Sequence, residues 1–322
     1  MSAGCLLWIW LYAFTPGPSS GDAPETVYIP ADTGFTGIEK ILVDKGVISP
    51  DIRFNILARL MGASHRLQAG EYYFQPRIVP YQLLLELEDG SNVHHAITIP
   101  EGSNLNQIAD ILAAGDWVNH DEFIRLAGDR DFINSLGVKA PSLEGYLFPD
   151  TYNFVRGGQS AESILRFMHS QMQQVLVELK VASAGNGYAV HEILTLASIV
   201  EKETALPSER PLIAKVFLNR LKKGMRLQTD PTVIYGIENF DGNLTLNDLR
   251  THTPYNTYVI HGLPPGPIGN PGREAIQSVL NPARESYLYF VSKNDGSHYF
   301  SRNLAEHNRA VHKYQKSLLS NR

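Results

Sequence analysis

His191-Glu-Ile-Leu-Thr-Leu-Ala-Ser-Ile-Val-Glu-Lys-Glu-Thr204 is the stretch on which the reading of this chain turns. At 100° per residue, Glu201 falls within about 40° of Val190, Leu194 and Ala197, while Thr195, Ser198 and Lys202 share a separate polar face. A carboxylate is thereby aligned with an apolar stripe. Burial disfavours its charged form and raises its pKa, as a general acid working near neutral pH requires. Glu203, near Leu196 and Ile199, is the rival. Helical geometry alone also allows both carboxylates to sit on a solvated helix end, paired with Lys202.

Working outward, RPLIAKVFLNRLKKGMRLQTDPTVIYG from Arg210 to Gly236 predicts a second helix with Ile213, Val216, Phe217 and Leu221 on one side, ending near Gly224. Asn219 precedes a loop of donors and acceptors, Gln228, Thr229 and Asp230, and Tyr235 follows it. Sugars are read by amides, hydroxyls and carboxylates around the ring rim, with aromatics against the apolar ring faces. Thr253 to Tyr258 repeats that mixture with Tyr255, Asn256 and Tyr258. Four prolines and four glycines within Gly262–Gly272 exclude helix and central strand there. Such a segment is either a surface linker or, since proline lowers the entropy lost on ordering, a cleft wall. Tyr287–Ser292 and His298–Ser301 predict a hairpin turning at Asn294–Ser297, and a last helix runs from about Leu304 to Leu319.

Upstream, Val27-Tyr-Ile-Pro-Ala-Asp32 recurs about 70 residues later as Ile97-Thr-Ile-Pro-Glu-Gly102. Ile38, Ile41 and Leu42 match Ile108, Ile111 and Leu112, and Phe54 matches Phe123 one residue out of step. Each copy reads as a strand, a turn and two helices, a unit size that suits carbohydrate-binding modules. Between the copies, Gly70–Phe74 reads as a strand and Val79–Leu85 as a helix. Leu143–Tyr152, with Glu144 and Tyr146, reads as a rigid loop at a domain boundary. Ala161–Val181 has helical periodicity.

The 322 residues carry 28 Lys+Arg against 33 Asp+Glu, a net charge of −5, with 43% apolar and 19% charged residues. At roughly 100–200 residues per domain this predicts two or three domains, and the composition argues against disorder and a polytopic membrane protein. No basic block offers the footprint of nucleic-acid binding. Cys5 is the single cysteine, so neither an intrachain disulfide nor a cysteine-based zinc cluster forms. Among 11 histidines there is no His-Glu-x-x-His helix; His94 and His95 point to opposite sides of a strand, and His307 and His312 are five apart, so no metal or other cofactor is expected. Cys5–Phe14 is an uncharged, aromatic-rich run about half as long as the roughly 20 residues that span a bilayer. It reads as a partial membrane anchor or export signal, with a Pro/Gly/Ser linker after it.

These motifs carry a resemblance. ASIVEKE, the run from NRL through LQTDPTVIYG, PYNTY, GLPPGPI with NPG, YLYFV and the final HN before a helix are similar to the YceG-like endolytic murein transglycosylases, the MltG family, over roughly residues 27–318. The resemblance implies an α+β fold: a partial anchor or signal (1–15), a linker (16–26), a LysM-like region with the internal repeat (27–140, copies 27–60 and 97–127), and a mixed α/β lytic transglycosylase domain (141–322). It implies endolytic cleavage of nascent peptidoglycan glycan strands between N-acetylmuramic acid and N-acetylglucosamine, leaving 1,6-anhydro ends, outside the cytoplasmic membrane and beside penicillin-binding synthases. It carries the catalytic role onto the Glu of IVEKE, Glu201, with no cofactor. The substrate-binding residues expected beside it are Asn219, Gln228, Thr229, Asp230, Tyr235, Tyr255, Asn256, Tyr258, Glu144 and Tyr146. One carboxyl suffices for this chemistry, because the muramyl C6 hydroxyl attacks its own anomeric carbon; a hydrolase would need a second, for which Asp230 or Glu144 is available. A glycan-binding scaffold that grips without cutting is the non-enzymatic alternative. The front departs from the family, which carries a basic tail and a full apolar anchor.

Overall fold

A computed structural model describes residues 3–18, 23–90, 93–156, 159–183 and 187–316. It is a mixed α and β protein that divides into two compact units: 1–97 with 151–160, and 98–150 with 161–322.

In the first unit, α1 (Ala3–Phe14) precedes β1 (Glu25–Ile29), α2 (Phe35–Asp44), α3 (Ile52–Met61), β2 (Gly70–Phe74), α4 (Pro80–Asp89) and β3 (His94–Thr98). β1 pairs antiparallel with β2, Glu25 opposite Phe74 and Ile29 opposite Gly70. Alternation along the two strands turns Val27, Ile29, Tyr72 and Phe74 inward, where they meet Ile38 and Leu42 of α2, Phe54 of α3 and Leu83, Leu84 and Leu87 of α4. The Asp51 side chain caps α3 by accepting from the Arg53 N–H at 2.9 Å, and Gly62 at φ 70° ends it. β3 pairs with β4 (Thr151–Val155). α1 packs on α3 and α4 through a buried side made of Ile9, Tyr12 and Ala13, while Leu7, Trp8, Trp10, Leu11 and Phe14 are exposed. Among the described residues no helix is long and apolar enough to cross a membrane.

The second unit holds α5 (Leu105–Ala114), α6 (His120–Ala127), α7 (Arg130–Ser135), α8 (Ala161–Glu178), α9 (Val190–Glu203), α10 (Arg210–Lys222), α11 (Asp230–Tyr235), α12 (Arg273–Leu280), the hairpin β5 (Tyr289–Ser292) with β6 (His298–Ser301), and α13 (Leu304–Val311). Each repeat copy is thus a strand followed by two helices, and the division between the units falls inside the second copy. Asn104 and Gln107 cap α5 reciprocally, each side chain accepting from the other's backbone N–H at 2.9 and 3.0 Å. The last expected helix keeps α-helical geometry only to Val311 and continues as one wider turn through Lys316; positions 317–319 of the expected span lie outside the described residues.

α9 is the centre of this unit. Residues Ile193 to Val200 are all buried, Thr195 and Ser198 included. Thr195 and Ser198 of the expected polar face are therefore interior, while Lys202 is exposed. Thr195 Oγ1 donates to the His191 carbonyl at 2.7 Å, and Ser198 Oγ donates to the Thr195 carbonyl at 2.7 Å while accepting from the Ile268 N–H at 3.0 Å. Helices α10, α11 and α12 pack around α9. The Gly/Pro segment is not a surface linker, since Pro264 and Gly266–Gly272 are buried. Leu143–Leu147 is equally internal to this unit, and the loop turns at Gly145, φ 82°, where a Cβ would come within 2.3 Å of Pro267 Cγ.

Candidate active site

The two carboxylates that end α9 have different surroundings. The Glu201 side chain is 5% exposed and tied on both oxygens: Arg210 donates to Oε1 at 2.8 Å, and the Gly272 N–H donates to Oε2 at 2.9 Å. Arg210 is shared further, with Glu274 at 2.6 Å and Glu101 at 3.3 Å. Burial raises the Glu201 pKa, opposed by the Gly272 N–H and by Arg210. Position 272 accepts only glycine without rearrangement, because a Cβ there would come within 1.9 Å of Glu101 Oε1. Glu201 thus fastens the last turn of α9 to α10 and to the start of α12.

Glu203 points elsewhere. It lines an open groove of about 480 Å³ together with Arg220, Leu227, Gln228, Thr229, Asp230, Tyr258, Tyr289, Phe290, Leu304, His307 and Asn308. That volume is within the range of sites for ligands of drug or disaccharide size. Thr229 Oγ1 donates to Glu203 Oε1. Burial pushes the Glu203 carboxyl up to about 7, and the neighbouring Asp230 reinforces this, against the Thr229 hydroxyl and the charges of His298 and Arg220. Its place on the last turn of α9 adds the negative end of the helix dipole.

The groove floor is a loop held in a demanding shape. Gln228 adopts φ 51°, a left-handed conformation sparsely used by non-glycine residues. It is fixed by its N–H donating to the Thr257 carbonyl at 3.1 Å and by the Thr229 N–H donating to Thr257 Oγ1 at 3.1 Å. Thr232 joins Thr257 at 2.8 Å. Tyr258 donates its hydroxyl to Asp230 Oδ1 at 2.6 Å, and burial and this bond raise its pKa. Arg220 donates to the carbonyls of Leu288 (2.6 Å) and Leu227 (2.8 Å) and lies over the Tyr289 ring at 5.0 Å, with no salt bridge to a carboxylate among the described residues.

The residues singled out from the sequence therefore separate. Gln228, Thr229, Asp230 and Tyr258 line the groove with Glu203. Glu144 and Tyr235 belong to another, buried cluster: Tyr235 Oη donates to Glu144 Oε2 at 3.1 Å, as does the Leu105 N–H at 3.2 Å, and Asn270 Nδ2 donates to Oε1 at 3.3 Å. Burial pushes Glu144 up to about 7. Tyr255 packs on Tyr235, ring centroids 4.8 Å apart. The Tyr146 hydroxyl bonds His191 Nδ1 at 2.8 Å. Asn256 is fully buried; its Nδ2 donates to the Thr251 carbonyl at 2.7 Å and its Oδ1 accepts from the Tyr258 N–H at 2.9 Å, which shapes the loop that presents Tyr258. Asn219 donates to the carbonyls of Glu285 (3.1 Å) and Tyr287 (2.9 Å), joining α10 to the approach of β5. The sequence reading passed over Arg220, Tyr289, Phe290, His307 and Asn308. The hairpin and the histidine-asparagine pair were both visible, but nothing local says that they share a groove with the end of α9.

Comparison with known proteins agrees with the motif pattern. The YceG-like family model matches residues 27–313. A protein of Bacillus subtilis (strain 168) named endolytic murein transglycosylase is 36% identical over 317 residues, covering 93% of this chain and 88% of that protein. A protein of the same name from Streptococcus pneumoniae serotype 2 is 32% identical over 327 residues, 92% of this chain but 59% of its own length. The crystal structure of a YceG-like protein from Listeria monocytogenes superposes with a TM-score of 0.62 at 35% identity, covering 90% of this chain and all of that one. Sequence match across nearly the whole chain and a shared fold lead to one conclusion: the chain belongs to the YceG-like family.

Proposed function

We propose that this chain is an endolytic peptidoglycan lytic transglycosylase whose acid, then base, is Glu203. The observation that carries the reading is the Glu203 carboxyl in a groove of sugar-sized volume, raised to about 7 by burial. The names of the Bacillus and Streptococcus relatives supply the substrate class. Within the IVEKE motif the geometry favours Glu203 over Glu201, because both oxygens of Glu201 are engaged by Arg210 and the Gly272 N–H.

The steps balance with one carboxyl. Protonated Glu203 gives its hydrogen to the glycosidic oxygen between N-acetylmuramic acid and N-acetylglucosamine as the bond to the anomeric carbon breaks. The resulting carboxylate takes the hydrogen of the muramyl C6 hydroxyl as that oxygen bonds to the same anomeric carbon, and the 1,6-anhydro end forms without water. Thr229 orients the carboxyl, Arg220 and His298 favour its ionised form in the second half, and Asp230, held by Tyr258, offers negative charge to a transition state with oxocarbenium character.

Asp230 in the same groove also supports a second reading, hydrolysis with a water activated by that carboxylate. Mass spectrometry of the ends made from purified murein separates the two. Anhydromuramic ends from the wild type and none from Glu203→Gln are expected; reducing ends would favour hydrolysis, and binding without cutting would favour the scaffold.

The first unit, with its strand-helix-helix-strand order and antiparallel β1–β2 pair, is read as a LysM-like glycan-binding module, and the second as the catalytic domain. The N-terminal segment is read as the attachment to the cytoplasmic membrane, with the rest extracytoplasmic and close to the penicillin-binding synthases. Its support is the family resemblance and the exposed Trp8 and Trp10, residues suited to a membrane–water interface.

A further inference from the structure

The wall of the groove built by β5 and α13 takes no part in the proton transfers above, yet it holds a buried polar atom that no described residue pairs. The His307 imidazole stacks on Tyr289, centroids 5.1 Å apart and planes 24° from parallel. Its Nδ1 is buried and has no hydrogen-bond partner among the described residues. Burial and the nearby Arg220 guanidinium lower its pKa, so the ring is neutral and carries a single N–H. A buried bare lone pair costs less than a buried unpaired N–H, so the hydrogen belongs on Nε2. The backbone of His307 is anchored as a helical residue, its N–H donating to the Asn303 carbonyl at 3.1 Å. Asn308, the next residue on α13, lines the same groove with an amide that both donates and accepts.

We infer that His307 and Asn308 form an amide-reading subsite for the N-acetyl group of an amino sugar, with Tyr289 as the platform that fixes the imidazole. The Nε2–H donates to the acetyl carbonyl, and the Asn308 carboxamide oxygen accepts from the sugar's N–H. A neutral donor suits this task, because an acetamido group carries dipoles and no charge. This inference rests on the reading of the groove as a glycan site, and it names what that site selects: acetylated over free amino sugars. A ligand lacking the acetyl group forfeits the hydrogen bond from the half-buried His307, which sets the size of the discrimination.

The test measures affinity, so it stands apart from which carboxylate cuts. The full chain carrying Glu203→Gln is titrated with an uncross-linked murein tetrasaccharide, N-acetylated or with its amino groups free. Adding His307→Phe keeps the ring and removes the N–H; adding His307→Gln returns an amide N–H near the Nε2 position. His307→Phe is expected to weaken binding of the acetylated strand about three- to tenfold, the range for one hydrogen bond, and to leave the free-amine strand within about twofold. His307→Gln is expected to recover most of the loss. Equal weakening for both strands, or none for either, would overturn the subsite.

Discussion

Glu203 and Glu201 are two positions apart, and a helix turns that separation into opposite surroundings. From periodicity, Glu201 shares a stripe with Val190, Leu194 and Ala197, which makes it a candidate beside Glu203, and the family resemblance carries the role onto it. The stripe identifies a buried carboxylate and is silent about whether its partner is an arginine or a groove. Arg210 and the Gly272 N–H come from elsewhere in the chain, and no local pattern predicts them. For Glu203 the pH dependence has a definite sign. The first proton transfer needs the protonated acid, so with a pKa pushed up to about 7 the rate on glycan strands should fall as pH rises above about 7. A rate still climbing to pH 9 would contradict this. Glu144 makes a stability prediction. Its folded pKa of about 7 lies above that of an unfolded glutamate, so its contribution is fully present below about 4.3 and lost as pH rises through 7. Glu144→Gln should therefore reduce the loss of unfolding free energy between pH 5 and pH 8 by on the order of 2 kcal/mol, measured by urea titration at both pH values.

At the level of elements, α9 is held at its C-terminal end by the Arg210 cluster and in its middle by Ser198, whose Oγ accepts from the Ile268 N–H. Helix type and extent followed from spacing: α9, α10, the hairpin and the strand-helix-helix order of each repeat copy are all legible in the residues. The fate of polar faces was not. Thr195 and Ser198 are interior because their hydroxyls find backbone partners, Ser198 reaching the Gly/Pro segment at Ile268. That segment could be linker or wall by composition, and tertiary contact decides for the wall. Glu201→Gln should lower stability by about 1–3 kcal/mol, since of the three carboxylates paired with the buried Arg210 guanidinium it removes the charge of the buried one, while turnover stays within a few-fold. Thermal melting and rate measurements on the same preparation check both parts. Gly145→Ala should also cost about 1–3 kcal/mol, because the backbone is left-handed there and Pro267 occupies the space of the new methyl.

For the molecule as a whole, the mixed α and β character and the family were both readable, because long motifs and regular periodicity survive without any knowledge of contacts. The division into compact units was less so, since 151–160 returns to the first unit after 98–150 has contributed to the second. Sequence proximity cannot report that return. The proposed membrane attachment is testable on the full chain with anionic lipid vesicles. Among the described side chains of α1, Leu7, Trp8, Trp10, Leu11 and Phe14 are exposed. Co-sedimentation with the vesicles is expected, weakened roughly tenfold by Trp8→Ala with Trp10→Ala. Failure of the unaltered chain to sediment would remove the proposal. The division of labour between Glu201 and Glu203 is tested most directly by turnover of purified murein strands by Glu203→Gln and Glu201→Gln side by side. A loss of about 10²–10⁴-fold is expected for Glu203→Gln, with activity largely kept in Glu201→Gln. The reverse pattern would return the acid role to Glu201 and contradict the account.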